Sequence, residues 1–567
     1  MSRLVQTAQE QLRGILHSAA QNAVVDGTFA ALPTGAWRIE VPANRAHGDF
    51  SANAAMVWAK ELRTNPRMIA QALVDHADLG DTYFTKLDAA GAGFLNFTLG
   101  AAYYADILLD IAALGDDYGQ SELLAGQKIN VEFISANPTG PMHMGNARGG
   151  ALGDCLAALL ARAGAQVSRE FYVNDAGNQI NKFALSLDVR YRQIVQPDNA
   201  PDLPEDAYQG ADITALAQQY VDAHGDALLS LSEQERRAAL VDFALPKNIQ
   251  SMRDTVEKYR IVYDLWYFES ELHKSGAVTE LIAEMTAKGL TYEKDGALWY
   301  RASNAADEES KDEVLVRENG VPTYFAADIA YHRNKLLTRG FDTAIDIWGA
   351  DHHGHVARMQ GALDALGLDG THRLKVILMQ LVRLMSEGEV VRMSKRTGNA
   401  ITLTDLLEEI PIDAVRFLFN LREPETQMEF DLDLAVAQGN DNPVYYCQYA
   451  HARACSVLRK LAEAGHPLRP CSREELARLQ APAETELIAH LAALTGMTES
   501  AATNCDPAKI TRYCLELAGL YHKFYAACRV NCEDDALRAA RLYLCDCTRS
   551  VLRRQLELFK ISAPEEM

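Results

Sequence analysis

The stretch V-E-F-I-S-A-N-P-T-G-P-M-H-M-G-N-A-R-G-G, from Val131 to Gly150, decides the fold. Its first residues are apolar and β-rich, which is typical of a buried parallel strand, and the run breaks at Pro138 and Gly140. The Ala- and Leu-rich residues 147–163 predict a helix. A strand, a turn and a helix in this order predict a nucleotide site, because free backbone N–H groups and the helix macrodipole together hold phosphate.

The turn itself supplies the first candidate ligands for a nucleotide. His143 and Asn146 stand at the start of the predicted helix, where both side chains can donate hydrogen bonds to oxygen. Gly140 and Gly145 allow the backbone to approach a ligand closely. A structural capping histidine is the alternative interpretation of His143.

Two short motifs resemble the signatures of class I aminoacyl-tRNA synthetases. Residues 143–146, H-M-G-N, resemble the His-Ile-Gly-His signature, and residues 391–396, V-R-M-S-K-R, about 250 residues further on, resemble the Lys-Met-Ser-Lys-Ser signature. Three longer strings, which begin at residues 135, 171 and 324, resemble the bacterial-type arginyl-tRNA synthetases, and the likeness covers nearly the whole chain. In chain order, the three strings are S-A-N-P-T-G-P-M-H-M-G-N, F-Y-V-N-D-A-G-N-Q-I and Y-F-A-A-D-I-A-Y-H.

The resemblance and the pattern of elements predict the same fold class, α/β. A Rossmann-type class I synthetase catalytic domain is expected over residues 116–435, with a helical insertion near 190–260. An α+β N-terminal appendage is expected over residues 1–115, and an all-α C-terminal anticodon-binding bundle over 436–567. The clearest strands are predicted at residues 131–134, 343–348 and 375–381.

Composition limits the function further. The formal charge of −22 argues against a generic nucleic-acid binder, because such proteins usually carry a basic excess, although an acidic enzyme can still present one basic face. The chain has neither a secretion-type start nor an apolar run of membrane-spanning length, so a cytoplasmic location is expected. Ten cysteines spread thinly over 567 residues favour reduced thiols over disulfides or a zinc site.

The activation step implied by the resemblance is attack of the arginine carboxylate on the α-phosphorus of ATP, which forms arginyl-adenylate and releases pyrophosphate. Such catalysis depends on positioning and charge stabilisation. His143, Asn146 and Lys395 are the expected catalytic residues, although Asn146 replaces the second histidine of the signature and loses its charge assistance. A solvated basic turn is the alternative for Arg392, Lys395 and Arg396. The expected ATP-binding residues are Pro138, Gly140, His143, Gly145, Asn146, Gly349, Asp351, Met393, Ser394 and Lys395.

Arginine selection requires a site for a planar, permanently charged guanidinium, which a carboxylate meets best in a bidentate pair. Tyr324 and Asp328 are four residues apart, so a helix would place them on one face. A strand carboxylate paired with a structural basic residue is the alternative for Glu132, and a metal site at the histidine-rich residues 352–355 is discounted. The resemblance places Glu132, Asn137, Tyr324, Asp328 and either Asp351 or His352 around the amino acid.

The expected partners are tRNA(Arg), L-arginine and ATP with Mg²⁺ as its substrate complex, with no zinc, no membrane and a monomeric state. By the resemblance, Phe94 and Asn96 contact the outer corner of the tRNA. Tyr446, Tyr449 and Arg453 lie at helical spacing and are expected to stack on unpaired bases. The alternative interpretation of Phe94, and of Tyr446 and Tyr449, is that they are aromatic residues of the buried core.

Two other functions share parts of this pattern. A tRNA-independent adenylyl- or nucleotidyltransferase can carry similar signatures, but it does not need a helical bundle of about 130 residues or an N-terminal appendage. A non-catalytic synthetase-like binding protein would not need His143, Gly145 and Lys395, which this chain retains.

Overall fold

The computed structural model describes residues 3–42, 44–302, 312–391 and 401–567. The N-terminal part is an antiparallel four-stranded sheet in the order β1-β2-β4-β3, covered by helices. Its elements are α1 (Arg3–Val25), β1 (Ile39–Glu40), β2 (Phe50–Ala52), α2 (Ala54–Leu62), α3 (Pro66–Asp75), β3 (Phe84–Ala90), β4 (Phe94–Leu99) and α4 (Ala101–Leu114).

The centre of the molecule is a five-stranded sheet in the order β12-β11-β5-β6-β7, in which every pair of strands is parallel. Three helices of an insertion, α6 to α8, pack around a small core of their own that includes Phe183 and Tyr191. The first half of this part contains β5 (Lys128–Glu132), α5 (Gly145–Arg162), β6 (Gln166–Val173), α6 (Gly177–Val195), α7 (Ala211–His224), α8 (Glu233–Lys258) and β7 (Leu265–Phe268).

The chain then leaves the central sheet and returns to it. A small antiparallel sheet, β10-β9-β8, precedes the helix α11, which ends in the π-helical turn Asn334–Thr338. The elements are α9 (Glu269–Lys274), α10 (Ala277–Ala287), β8 (Thr291–Lys294), β9 (Ala297–Tyr300), β10 (Glu313–Val316), α11 (Tyr324–Arg333), β11 (Thr343–Gly349), α12 (His353–Ala365), α13 (Gly370–Arg373) and β12 (Leu374–Met379).

A three-stranded sheet, β14-β13-β15, connects the central sheet to a bundle of helices. The bundle shares a continuous hydrophobic core with α4 and α5, and the Tyr118 hydroxyl donates to the Leu491 carbonyl across this junction. The elements are β13 (Val382–Ser386), β14 (Glu389–Val391), α14 (Leu403–Glu409), α15 (Ile412–Phe419), β15 (Met428–Asp431), α16 (Leu432–Val436), α17 (Pro443–Glu463), α18 (Arg473–Leu476), α19 (Pro482–Ala492), α20 (Leu494–Asn504), α21 (Ala508–Ala527) and α22 (Asp535–Leu558).

The predicted fold class, a parallel α/β domain between an N-terminal α+β part and a helical bundle, is confirmed. The strand predicted at residues 131–134 ends early, at Glu132, because Ile134 and Ser135 have positive φ angles of 68° and 46° that no strand can contain. The strand predicted at 375–381 likewise ends at Met379. No helix in the described ranges is both long and apolar enough to cross a bilayer.

Candidate functional site

A cavity of about 700 Å³ opens at the carboxyl ends of β5, β6 and β11, where a parallel sheet commonly binds ligands. Its lining includes all six residues that the resemblance placed around arginine, together with Gly349 from the predicted ATP set. Tyr172, Gln179, His355 and Arg358 also line it, and the sequence pattern predicted no part in arginine binding for them. The six predicted residues are Glu132, Asn137, Tyr324, Asp328, Asp351 and His352.

A strained turn closes the floor of this cavity. Ile134 is β-branched, and a positive φ is unfavourable for such a residue, so the surrounding structure must hold the turn in place. The turn brings the Ser135 hydroxyl back to the strand, where it donates to Glu132 Oε1 at 2.9 Å and accepts from the Tyr172 backbone N–H at 3.1 Å. The strain therefore fixes the orientation of the Glu132 carboxylate.

Glu132 also has a cationic partner. Its Oε2 lies 2.5 Å from Nζ of Lys335, which is fully buried and also donates to Asp346 Oδ1 at 2.9 Å. The structural ion pair that was the alternative interpretation of Glu132 is therefore present, although Glu132 still lines the cavity. The π-helical turn after α11 carries Lys335 into this position, and such turns are frequent at functional sites.

A buried histidine completes this group of charges. His332 Nε2 lies 2.6 Å from Asp346 Oδ2, and His332 Nδ1 lies 2.7 Å from the Asp328 carbonyl oxygen. Both ring nitrogens face acceptors, so both must donate, which requires the imidazolium form. Burial opposes this form, but Asp346 raises the pKa of His332, and despite its own burial Asp346 has a pKa held well below the usual range by Lys335 and His332.

Helix α11 presents two of the predicted arginine contacts on one face, as their spacing predicted. Tyr324 accepts a hydrogen bond from the Asn178 backbone N–H at 3.1 Å. Asp328 Oδ2 lies 3.2 Å from His355 Nε2, and within the described residues the Asp328 carboxylate has no lysine or arginine partner. A side chain that is 35% exposed, in a cavity, with no strong cation beside it, is well placed to receive one.

Two further predicted contacts, Asp351 and His352, lie at the rim. The Asp351 side chain is 82% exposed and the His352 side chain 58% exposed, with 3.7 Å between Asp351 Oδ2 and His352 Nε2. No three His, Cys, Asp or Glu side chains are grouped as a metal site in the part of the chain that the structure describes.

The predicted nucleotide turn has a defined hydrogen-bonding pattern. Helix α5 begins at Gly145, and the Gly145 N–H donates to His143 Nδ1 at 3.1 Å. In a neutral ring this leaves the proton on Nε2, so the exposed His143 can donate to a ligand. Asn146 follows in the first turn of α5, and Pro138 is held by Asn248, whose side-chain amide donates to the Pro138 carbonyl at 3.0 Å.

The first signature is attached to a segment that follows the second signature in the chain. His143 forms an antiparallel bridge with Thr402, the Met144 N–H donates to the Ile401 carbonyl at 3.1 Å, and the Leu403 N–H donates to the Met142 carbonyl at 2.9 Å. The segment that follows the second signature is therefore fixed to the first. The predicted residues Arg392, Met393, Ser394, Lys395 and Arg396 lie outside the described ranges.

The predicted tRNA contacts divide into exposed and buried groups. Phe94 is partly exposed at the start of β4, whereas Asn96 is buried and accepts from the Ser51 hydroxyl at 2.8 Å, so its side chain serves the sheet. In the bundle, the Tyr446 ring centre lies 5.0 Å from that of His522 and the Arg453 guanidinium lies 4.4 Å from the centre of the Tyr525 ring. Tyr449 joins this group, with its ring centre 5.8 Å from that of His522.

Comparison with known families agrees with this geometry. The profile described as "tRNA synthetases class I (R), catalytic domain" matches residues 110–438. "Arginyl tRNA synthetase N terminal domain" matches residues 8–99, and "DALR anticodon binding domain" matches residues 447–567. The parallel sheet, the cavity at its carboxyl edge and the matched catalytic-domain profile thus define a class I aminoacyl-tRNA synthetase.

Comparison with individual relatives identifies the family within this class. The chain is 47% identical to the arginine–tRNA ligase of Acetivibrio thermocellus over 567 residues, which cover 100% of both chains. It is 49% identical to the arginine–tRNA ligase of Desulfitobacterium hafniense over 541 residues, 95% of each. The solved Thermus thermophilus arginyl-tRNA synthetase shares the fold, with a TM-score of 0.73 at 24% identity over 98% of this chain and 100% of that one. The chain belongs to the arginyl-tRNA synthetase family.

Proposed function

We propose that this protein activates L-arginine with ATP to arginyl-adenylate and transfers the arginine to the 3′ end of tRNA(Arg), releasing AMP and pyrophosphate. The observation that carries the proposal is the cavity at the carboxyl edge of the central sheet, which gathers all six predicted arginine contacts. Glu132 on β5, which lines this cavity, and His143, which precedes α5, belong to the same strand–turn–helix unit.

Asp328 is the proposed partner of the guanidinium. Its carboxylate has the geometry for a bidentate pair, and it lies in the cavity without a lysine or arginine partner among the described residues. Glu132, oriented by Ser135, presents a second carboxylate to the same cavity, while Tyr324 and Asn137 add polar contacts. This set favours a cation over a neutral side chain of equal size.

The ATP phosphates are proposed to lie at the start of α5. His143 Nε2 and the Asn146 side chain would donate to them, the positive end of the α5 macrodipole would favour their charge, and ATP would bring its own Mg²⁺. Lys395 is proposed to stabilise the departing pyrophosphate. What supports this role is its place in the second signature and the attachment of the next residues, Ile401 to Leu403, to the first.

The bundle is proposed to bind the anticodon region through Tyr446, Tyr449 and Arg453, and Phe94 to contact the outer corner of the tRNA. The partner rings of His522 and Tyr525 hold this bundle group in a fixed arrangement, which suits base stacking. The domain limits at residues 115 and 435, the monomeric state and the cytoplasmic location stay predictions.

ATP–pyrophosphate exchange with each of the common amino acids, with and without tRNA, tests the proposal. Among the amino acids, only arginine is expected to support exchange. The exchange should also require tRNA, because synthetases of this family generally assemble their active geometry only when tRNA is present. Exchange with a different amino acid would refute the substrate. A full rate without tRNA would instead support the tRNA-independent transferase.

A further inference from the structure

Two buried carboxylates stand side by side below the arginine cavity. Glu132 on β5 and Asp346 on β11 are register partners on neighbouring parallel strands, and both are buried. The negative charges of two carboxylates on paired positions of neighbouring strands repel each other, and burial away from water strengthens this repulsion. Nζ of Lys335 lies between them, 2.5 Å from Glu132 Oε2 and 2.9 Å from Asp346 Oδ1, and no part of the lysine is exposed.

The other buried charges near Glu132 are already matched. Asp346 has His332 as its second cation, at 2.6 Å. Glu170 on β6 accepts from Arg339 Nη1 at 2.5 Å and Nη2 at 2.9 Å, and it also accepts from Asn130 and from the Tyr331 hydroxyl. The groups that face Glu132 are therefore Ser135, Lys335, Tyr331, Asp346 with His332, Glu170 with Arg339, and Tyr172.

Glu132 differs from these neighbours in one respect. Asp346 and His332 line the cavity too, but Asp346 has two cationic partners, whereas within the described residues Lys335 is the only ion-pair partner of Glu132. Burial raises the pKa of Glu132, the charges of Asp346 and Glu170 raise it further, and Lys335 opposes all three effects. Without Lys335, the Ser135 hydroxyl would be the remaining hydrogen-bond donor to Glu132 among the described residues, and burial with two neighbouring carboxylates would favour the protonated form.

We propose that Lys335 is a positioning residue for arginine recognition, which keeps Glu132 ionised and turned toward the cavity that receives the cationic substrate. Lys335 does not line the cavity, so it acts through Glu132 and not on the substrate. This inference rests on the proposed function, because it assigns the cavity to arginine.

The test is the pH dependence of the arginine KM in Lys335→Met, measured by ATP–pyrophosphate exchange with saturating ATP and tRNA. Methionine keeps the length of the side chain but removes the ammonium. Loss of the ammonium shifts Glu132 toward its protonated form, and losing one charge-assisted contact raises the KM about 10- to 100-fold, with a smaller change in kcat. A higher pH favours the ionised carboxylate, so the KM of Lys335→Met should fall back toward the wild-type value as the pH is raised.

Three further variants separate this role from a packing role. Glu132→Gln/Lys335→Met has nothing to titrate at either position, so its KM should be high at every pH. Lys335→Met/Asp346→Asn removes one charge of each sign, so it should fold even where the single variant does not, and its KM should still recover at high pH. Lys128→Met replaces an exposed lysine on β5, the strand that carries Glu132, and should behave as wild type.

A KM in Lys335→Met that matches wild type at pH 7 would overturn the proposal. So would an elevated KM that stays the same from pH 7 to pH 9 in Lys335→Met and in Lys335→Met/Asp346→Asn, since a packing defect has no reason to recover with pH. Wild-type protein in the same assay tests the proposed function separately. If it does not exchange with arginine, the assignment of the cavity fails, whereas arginine-dependent wild-type exchange with pH-independent variants refutes only the role of Lys335.

Discussion

Replacing Asp328 by Asn tests which carboxylate carries the arginine side chain. Asparagine preserves the size of the side chain and an oxygen for the 3.2 Å contact with His355, but it removes the negative charge. It also places an NH₂ group where the guanidinium would donate, so one of the two parallel hydrogen bonds is lost and the other loses its charge assistance.

The structure sets the size of the expected effect. A hydrogen bond to a charged group contributes about 1.5–3 kcal/mol, and each 1.4 kcal/mol corresponds to roughly tenfold in affinity. The Asp328 side chain is 35% exposed, so water screens part of the interaction and the lower half of this range applies. The arginine KM should therefore rise roughly 10- to 50-fold, with kcat changed less than about threefold.

Asp351→Asn is the matched control, because it makes the same chemical change in the same cavity. The Asp351 side chain is 82% exposed at the rim, and pairs at such positions contribute little, so the KM should change by less than about threefold. Arginine-dependent pyrophosphate exchange in the presence of tRNA measures both variants. Equal effects, a larger effect for Asp351→Asn, or an unchanged KM for Asp328→Asn would refute the assignment of the guanidinium to Asp328.

Three other outcomes are expected. Lys395→Ala should slow single-turnover activation by roughly 10²- to 10³-fold with arginine affinity nearly unchanged, because the lysine is proposed to stabilise negative charge in the transition state. An unchanged rate would indicate that its segment has a structural role instead. Charging with citrulline or glutamine should have a kcat/KM roughly 10³-fold or more below that of arginine, because a neutral side chain leaves the cavity carboxylates unpaired, and efficient use of either would contradict a carboxylate pocket. Arg416→Met should destabilise the protein by about 3–5 kcal/mol, because it leaves buried Asp154 with one cation fewer and strips the Phe559 and Tyr259 carbonyls of a donor; an unchanged thermal unfolding midpoint would contradict this.

Local signals account for what the sequence predicted well. The strand at Val131 and the helix that begins at Gly145 depend on nearest neighbours, on apolar runs and on turn residues, so the pattern locates the ends of both to within about three residues. The early end of β5 depends instead on the left-handed Ile134. An isoleucine has no preference for that conformation, so only the packed environment explains it.

The buried charge group shows why the rest could not be predicted. Lys335 and Glu132 are 203 residues apart in the chain, and they meet only because β5 and β11 are neighbours and a π-helical turn rotates the lysine inward. Asp346 left a weak signal, a single carboxylate inside the apolar strand T-A-I-D-I-W, and a buried carboxylate in a strand needs a partner. The identity of that partner was not in the sequence pattern.

Helix α5 connects the chemistry to the distant bundle. Its first turn carries His143 and Asn146 beside the nucleotide site, while Asp154, further along, accepts from Lys560 Nζ at 2.9 Å. Lys560 belongs to the tail that follows α22, so the last helix of the bundle is tied to the helix that begins at the first signature. tRNA can promote activation through this route only if it binds one arrangement of bundle and tail more tightly than another. Lys560→Met, which removes this ion pair and leaves the Arg416 link between Asp154 and the Phe559 carbonyl, should therefore reduce the stimulation of pyrophosphate exchange by tRNA more than it reduces tRNA affinity.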